Sequence, residues 1–164
     1  MSTSFSGFTP DSTERQVFTA NQNTGSTAAT STAQIWRKPK GLRFSSWFLI
    51  GAGAGGGAGA SGAAATNRGG GGGGGSGAIV RAIFLNDMLP DNLYVFVPGN
   101  AATASPGGLT CVSLFPNSIT ANNLLLISGA AAPGAGATAA GANAGGGGAA
   151  GTVATVSGAM YSSQ

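Results

Sequence analysis

The chain has 164 residues, the length of a single domain, and only 7% of them are charged, with a formal net charge of +3. Disordered chains usually combine high charge with few aromatic residues, whereas this chain has little charge and 8 phenylalanines. It also has no histidine. The composition therefore argues against an ordinary disordered segment and against an enzyme, because serine and cysteine nucleophiles lack their usual activating base.

Residues 1–34 are polar, rich in Ser, Thr, Asn and Gln, and without periodicity. We interpret them as an extended N-terminal arm that becomes ordered against a neighbouring subunit; a flexible tail is the equal alternative. Residues 35–164 form the second unit, a glycine-rich β domain. The hydrophobic residues expected to anchor the arm in an assembly are Phe5, Phe8, Val17, Phe18 and, at the start of the domain, Trp36.

Short apolar runs with period-two alternation follow in the β domain. In residues 42–50 the alternation places Phe44 and Phe48 on one strongly apolar face, which we expect to face the core. Further strands are predicted at residues 78–86, 93–99, 109–115, 123–128 and 151–158. The predicted core residues are Phe44, Phe48, Val80, Phe84, Tyr94, Phe96, Val112 and Leu126. Short strands with Gly/Pro turns predict an all-β fold, a jelly-roll-like sandwich or barrel.

Two blocks built almost wholly from glycine and alanine, residues 51–78 and 129–151, each join one apolar strand to another. We interpret them as long, hairpin-like connections. One arrangement open to them is the polyproline-II helix, with three residues per turn and hydrogen bonds between neighbouring helices. If the connections are exposed, they offer a contact surface at Gly69, Gly70, Gly71, Gly145 and Gly146.

The sequence contains no convincing motif for catalysis or ligand binding. Gly51, Gly53 and Gly56 match a dinucleotide-binding pattern, but glycines continue where its helix should begin, and the acidic residue expected about 20 residues later is missing. Asp87 and Asp91 flank a proline in a turn-like sequence, so they are interpreted as turn residues. We expect no cofactor, no metal site and no catalytic residues.

The partners suggested by charge and hydropathy are few. Arg37, Lys38, Lys40 and Arg43 form a small basic cluster. Its size favours a solvated strand entry over a nucleic-acid site. Residues 44–67 are uncharged over a membrane-spanning length, but glycine disfavours a helix there, so no membrane span is expected. Cys111 is the only cysteine, which excludes an intrachain disulfide.

The order of these elements resembles the glycine-rich domains of bacteriophage virion proteins, notably tail-fibre proteins. The resemblance begins at IWRKPKG (residues 35–41) and continues through FLIGAGAGGG (48–57) and NRGGGGGGGSGA (67–78). It extends through LPDNLYVFVPGN (89–100), SPGGLTCVSL (105–114) and the second glycine block. It covers roughly residues 35–158 and transfers no catalytic residue.

The resemblance implies a non-enzymatic structural protein of a phage virion, as a minor capsid or decoration component or a tail-tip component. Its expected partners are other virion proteins, further copies of the same chain and, for a receptor-binding tail-fibre adhesin, a host surface receptor. An ice-binding protein with polyproline-II faces is the alternative from a different class. A silk-like matrix protein would need a longer and more regular repeat.

Overall fold

The computed structural model describes residues 14–20, 32–61, 69–99, 101–117, 119–136 and 145–151. Within these ranges, β-strands in two antiparallel sheets dominate, and the helical elements are two 3-10 turns of three residues. The predicted all-β class is confirmed. The strand predicted at residues 151–158 lies outside the described residues except for Gly151, which is not in a strand.

Four strands form the larger sheet in the order β1-β4-β5-β6, and two strands form a separate ribbon, β2-β3. The bounds of the larger sheet are β1 Gln34–Arg37, β4 Asn92–Phe96, β5 Cys111–Ser113 and β6 Leu124–Ile127. The ribbon consists of β2 Phe44–Ile50 and β3 Ile79–Leu85. The 3-10 turns are Asn86–Met88 and Ala121–Asn123.

Residues 14–20 lie along β1 of their own chain. The Gln16 side-chain amide donates to the carbonyl of Arg37 at 2.8 Å, and the Arg37 N–H donates back to Gln16 Oε1 at 3.4 Å. The Gln34 side chain donates to the carbonyl of Thr19 at 2.8 Å. Side-chain amides thus bind this part of the predicted arm to the first strand, and the boundary that we placed after residue 34 falls inside β1.

Both sheets contribute to one hydrophobic core. Trp36 of β1 and Trp47 of β2 bring their ring centroids to 5.0 Å at an interplanar angle of 53°, a tilted geometry that aromatic pairs favour. Around this pair the ribbon packs against the inward side chains of the larger sheet. The buried members are Trp36, Trp47, Leu49, Val80, Leu89, Leu93, Val95, Val112, Leu125 and Leu126. A smaller cluster, Phe96, Cys111 and Leu124, is separate from it.

The prediction for the inward face of β2 is wrong. Phe44 and Phe48 are 55% and 53% exposed, whereas Trp47 and Leu49 are buried. Alternation could not choose between the faces, because both carry large apolar residues, and the packing of Trp47 on Trp36 decides the orientation. Of the other predicted core residues, Val80, Phe96, Val112 and Leu126 are buried, and Phe84 and Tyr94 are half-buried.

Each glycine block folds back on itself, giving four tracts: tract 1 (residues 51–61), tract 2 (69–78), tract 3 (129–136) and tract 4 (145–151). Every third backbone amide of tract 1 donates a hydrogen bond to a backbone carbonyl of tract 2, at 2.8–3.0 Å. The pairs are Gly51 to Ala78, Ala54 to Gly75, Gly57 to Gly72 and Ala60 to Gly69. Tract 2 donates in turn to tract 3 from Gly72, Gly75 and Ala78, at 3.0–3.4 Å.

Tract 4 completes this arrangement, which we call the glycine bundle. Tract 3 donates to it from Ala132 and Ala135, at 3.0 and 2.9 Å. Tract 4 itself donates to tract 2 from every third amide, at 2.8–2.9 Å: Gly145 to Gly70, Gly148 to Gly73 and Gly151 to Ser76. The segment 104–108 joins at the side, where it bonds to tract 1 and to tract 3.

The strand ladders continue into the bundle without a shift of register. The pair Ile50↔Ile79 of the ribbon is followed by the bond from Gly51 to Ala78. Likewise the β5-β6 ladder is followed by the bond from Ser128 to Thr110, at 2.8 Å. The buried Thr110 hydroxyl also donates to the carbonyl of Ile50 at 2.7 Å, which joins the ribbon to the larger sheet at their junction with the bundle.

The bundle predicts that neighbouring glycines of tract 2 differ sharply in their tolerance of a methyl group. A Cβ on Gly72 would lie 2.6 Å from the carbonyl carbon of Gly146, whereas a Cβ on Gly73 would meet nothing within 4 Å. We expect Gly72→Ala to lower the free energy of unfolding by about 3 kcal/mol, through overpacking against rigid backbone.

Gly73→Ala is the matched control, which should change that free energy by less than about 1 kcal/mol, in the stabilising direction, because alanine restricts the unfolded chain. Urea denaturation of both variants measures the difference. Equal stability of the two variants would contradict the close approach of tracts 2 and 4.

Candidate functional site

The basic cluster lies beside acidic residues at one end of the ribbon. Lys38 Nζ is 3.1 Å from Asp91 Oδ1 and also donates to the carbonyl of Leu89 at 2.8 Å. The Arg43 guanidinium carbon lies 5.5 Å from the centroid of the Phe44 ring. Lys40 and Asp87 line the same shallow cleft. Because the cleft carries both signs of charge and Lys38 is already paired, it offers no continuous basic surface for a phosphate backbone.

The single thiol is inaccessible. Cys111 is fully buried in β5, and burial raises its pKa from the ordinary value of 9.0 to about 12. The thiol therefore stays protonated at physiological pH, whereas a nucleophile needs the thiolate. Among the residues that the structure describes, no group of three His, Cys, Asp or Glu side chains is placed to hold a metal ion.

The dinucleotide-like glycines lead into no helix. Residues 51–61 run extended along tract 2, and the Gly51 amide is bound to the carbonyl of Ala78 at 2.9 Å. A pyrophosphate site of this kind requires free amides at a helix N-terminus. The described ranges also contain no helix with the length and apolarity to cross a membrane, and residues 44–50 of the uncharged stretch form β2.

The predicted glycine contact surface is brought together from two distant parts of the sequence. The Gly145 amide donates to the carbonyl of Gly70 at 2.9 Å, so the two parts adjoin at the end of the bundle remote from the sheets. Gly70, Gly71 and Gly146 are exposed and Gly145 is half-buried, whereas Gly69 is buried and accepts the amide of Ala60. Four of the five residues thus have solvent-accessible backbone.

The predicted anchor residues fall in different environments. Trp36 is only 5% exposed, so its ring is held in the core of its own chain and has little surface to offer a neighbour. Phe18 is half-buried and packs against the same core. Val17 is 63% exposed. Phe5 and Phe8 lie outside the described residues.

The outward face of the ribbon, which we call the outer face, was not predicted from the sequence. It consists of the outward positions of four cross-strand pairs: Phe44 and Leu85, Ser46 and Ile83, Phe48 and Arg81, and Ile50 and Ile79. Every apolar member is exposed. The signal was present in the sequence, because FSSWFLI and IVRAIFL carry large apolar residues at both alternating sets of positions.

No family model, no curated protein and no solved structure matches the chain. The residues themselves therefore carry the functional argument. Within the described residues, two surfaces are relevant to function: the remote end of the glycine bundle and the outer face of the ribbon.

The buried thiol predicts a specific pH dependence of stability. The unfolded chain loses the Cys111 proton near pH 9, whereas the folded chain keeps it until about pH 12. The folded state therefore binds more protons in this interval, and raising the pH destabilises it. We expect this group alone to lower the free energy of unfolding by about 1.4 kcal/mol per pH unit.

Denaturant titrations between pH 9 and pH 11 on the wild type and on Cys111→Ala isolate this contribution, since other titrating groups are common to both. The variant should show the shallower dependence. A thiol-specific disulfide reagent should leave the native protein unmodified and react at once in urea. Rapid labelling of the native protein would contradict the burial of Cys111.

Proposed function

We propose that this chain is a non-enzymatic structural protein of a bacteriophage virion, as a minor capsid or decoration component or as part of the tail tip. One observation carries the proposal: Gly70 and Gly145, from separate glycine blocks, adjoin at the remote end of the bundle. Their backbone is exposed or half-buried. An exposed backbone surface of this kind suits contact with another particle component, and the sequence resemblance supports the class.

The receptor-binding adhesin at a fibre tip is the second candidate within this class. The exposed backbone of Gly70, Gly71 and Gly146 favours it. Glycine lets a ligand approach the main chain closely, because no side chain intervenes. In both roles the sheets would support the bundle and the bundle would make the contact.

We further propose that the tracts are polyproline-II helices, within a sandwich-like arrangement of the two sheets. The support is the three-residue period of the bonds, together with the burial of tract 2, where residues 69, 72, 75 and 78 are buried and residues 70, 71, 73, 74 and 76 are exposed. The backbone φ angles agree with this assignment, because polyproline II requires a negative φ. The glycine with a positive φ among the described residues is Gly41, which lies outside the tracts.

Amide hydrogen exchange should follow the same period. In tract 2 the amides of Gly72, Gly75 and Ala78 donate to tract 3, so we expect them to exchange slowly. Gly73 and Gly74 are exposed, and no backbone acceptor for their amides lies in the described ranges, so they should exchange rapidly. Resolution of single amides by NMR measures this pattern. A two-residue period, or uniformly fast exchange, would overturn the polyproline-II assignment.

Antibody labelling of purified phage particles tests the proposed role. If the role is correct, gold particles decorate the capsid for a decoration component or the tail end for a tip component. An adhesin additionally predicts that the purified protein competes with particles for host cells. If antibody does not label phage particles purified from a host that expresses this chain, the chain is not a virion protein. Thermal hysteresis of the purified protein would instead support the ice-binding alternative.

A further inference from the structure

The outer face of the ribbon is an apolar surface without a cover in the described structure. Its six large apolar side chains are 40–72% exposed: Phe44, Phe48, Ile50, Ile79, Ile83 and Leu85. Its one charged residue is Arg81, whose guanidinium carbon lies 5.0 Å from the centroid of the Phe48 ring. The charge thus lies on an aromatic ring of the same face, and it leaves the surrounding surface apolar.

The ribbon is apolar on both faces, since Trp47, Leu49 and Val80 on its inner face belong to the core. Strands with large apolar residues on both faces are typical of sheets that are covered on both sides. The exposed side chains leave on the order of 600 Å² of apolar surface in contact with water, the upper end of what a monomer shows. A layer that covers the outer face is therefore expected.

We propose that a second copy of this chain covers the outer face, with the two ribbons stacked face to face about a twofold axis. Two such faces would bury roughly 1,200 Å² in total, which reaches the size of a specific interface. The strand pairing makes each ribbon about 23 Å long, so the faces match in length by symmetry. This inference goes beyond the proposed particle role and does not depend on it.

The one charged residue of the outer face, Arg81, is compatible with self-association. If the twofold axis runs along the strands, β2 faces β3 of the partner and Arg81 lies opposite the partner's Phe48. If the axis runs across the strands, the order of the four pairs reverses and Arg81 lies opposite the partner's Ile83. In neither arrangement do the two arginines face each other, so the interface avoids a like-charge contact. In the first arrangement, Arg81 can also stack on an aromatic ring of each copy.

Sedimentation velocity of the full chain tests the proposal, with Ile83→Glu as the disrupting variant. Ile83 is 72% exposed, so the change leaves the protomer's own core intact. The matched control is Phe115→Glu, because Phe115 is also an exposed large hydrophobic residue but lies in the turn after β5, outside the outer face. Circular dichroism and urea titration of both variants establish that they fold.

We expect the wild type and Phe115→Glu to be dimers at micromolar protein concentration. Ile83→Glu should raise the dimer dissociation constant about 100-fold or more. Hydroxyl-radical footprinting supplies a second readout: Phe48 should be protected in the dimer and modified after dilution. A monomeric wild type at high micromolar concentration would overturn the proposal, as would dimerisation unaffected by Ile83→Glu. So would a monomer whose outer face binds neutral phospholipid vesicles. Particle labelling reports separately on the virion role, so failure of one leaves the other standing.

Discussion

The structure depends on backbone hydrogen bonds that recur at every third residue of tract 2. Gly72, Gly75 and Ala78 each accept from tract 1 and donate to tract 3. A buried backbone group without a partner costs about 1–3 kcal/mol, so a glycine tract cannot enter the protein interior unless neighbouring tracts satisfy it. Glycine has no side chain whose burial could offset its large ordering entropy. Side-by-side packing of several tracts is how these segments become ordered.

This constraint also fixes the position of the sheets. The ribbon ladder runs straight into tracts 1 and 2, and the β5-β6 ladder runs into the 104–108 segment and tract 3. The two ladders meet where the Thr110 hydroxyl donates to the carbonyl of Ile50. The Trp36–Trp47 contact then closes the core between the sheets. Bundle and core therefore stabilise the same relative placement of ribbon and sheet.

The sequence predicted the class and the approximate strands, because period-two apolar runs bounded by glycine and proline have a simple physical cause. It failed where that signal is ambiguous. Both faces of β2 are apolar, so only the tertiary contact of Trp47 with Trp36 selects the inner one. No strand was predicted at β1, because four residues cannot establish a period. Hairpin-like connections were predicted for the glycine blocks, but the register at which their tracts pair was beyond reach, since glycine repeats contain no hydrophobic pattern that fixes it.

The mixture of alanine and glycine in the tracts has a steric explanation. Added Cβ atoms on Gly57 and Gly145 would collide with the carbonyl of Ala135, and one on Gly148 would collide with that of Ala132. In these contacts glycine is needed where its α-carbon faces a neighbouring carbonyl, whereas alanine can supply that carbonyl. Ala131 is buried and still accepts the Gly107 amide at 3.0 Å. Alanine is thus compatible with close packing of the tracts and adds apolar surface to them. Because the two residue types occupy different positions in the contact, exchanging them would disrupt the bundle even though the composition stayed the same.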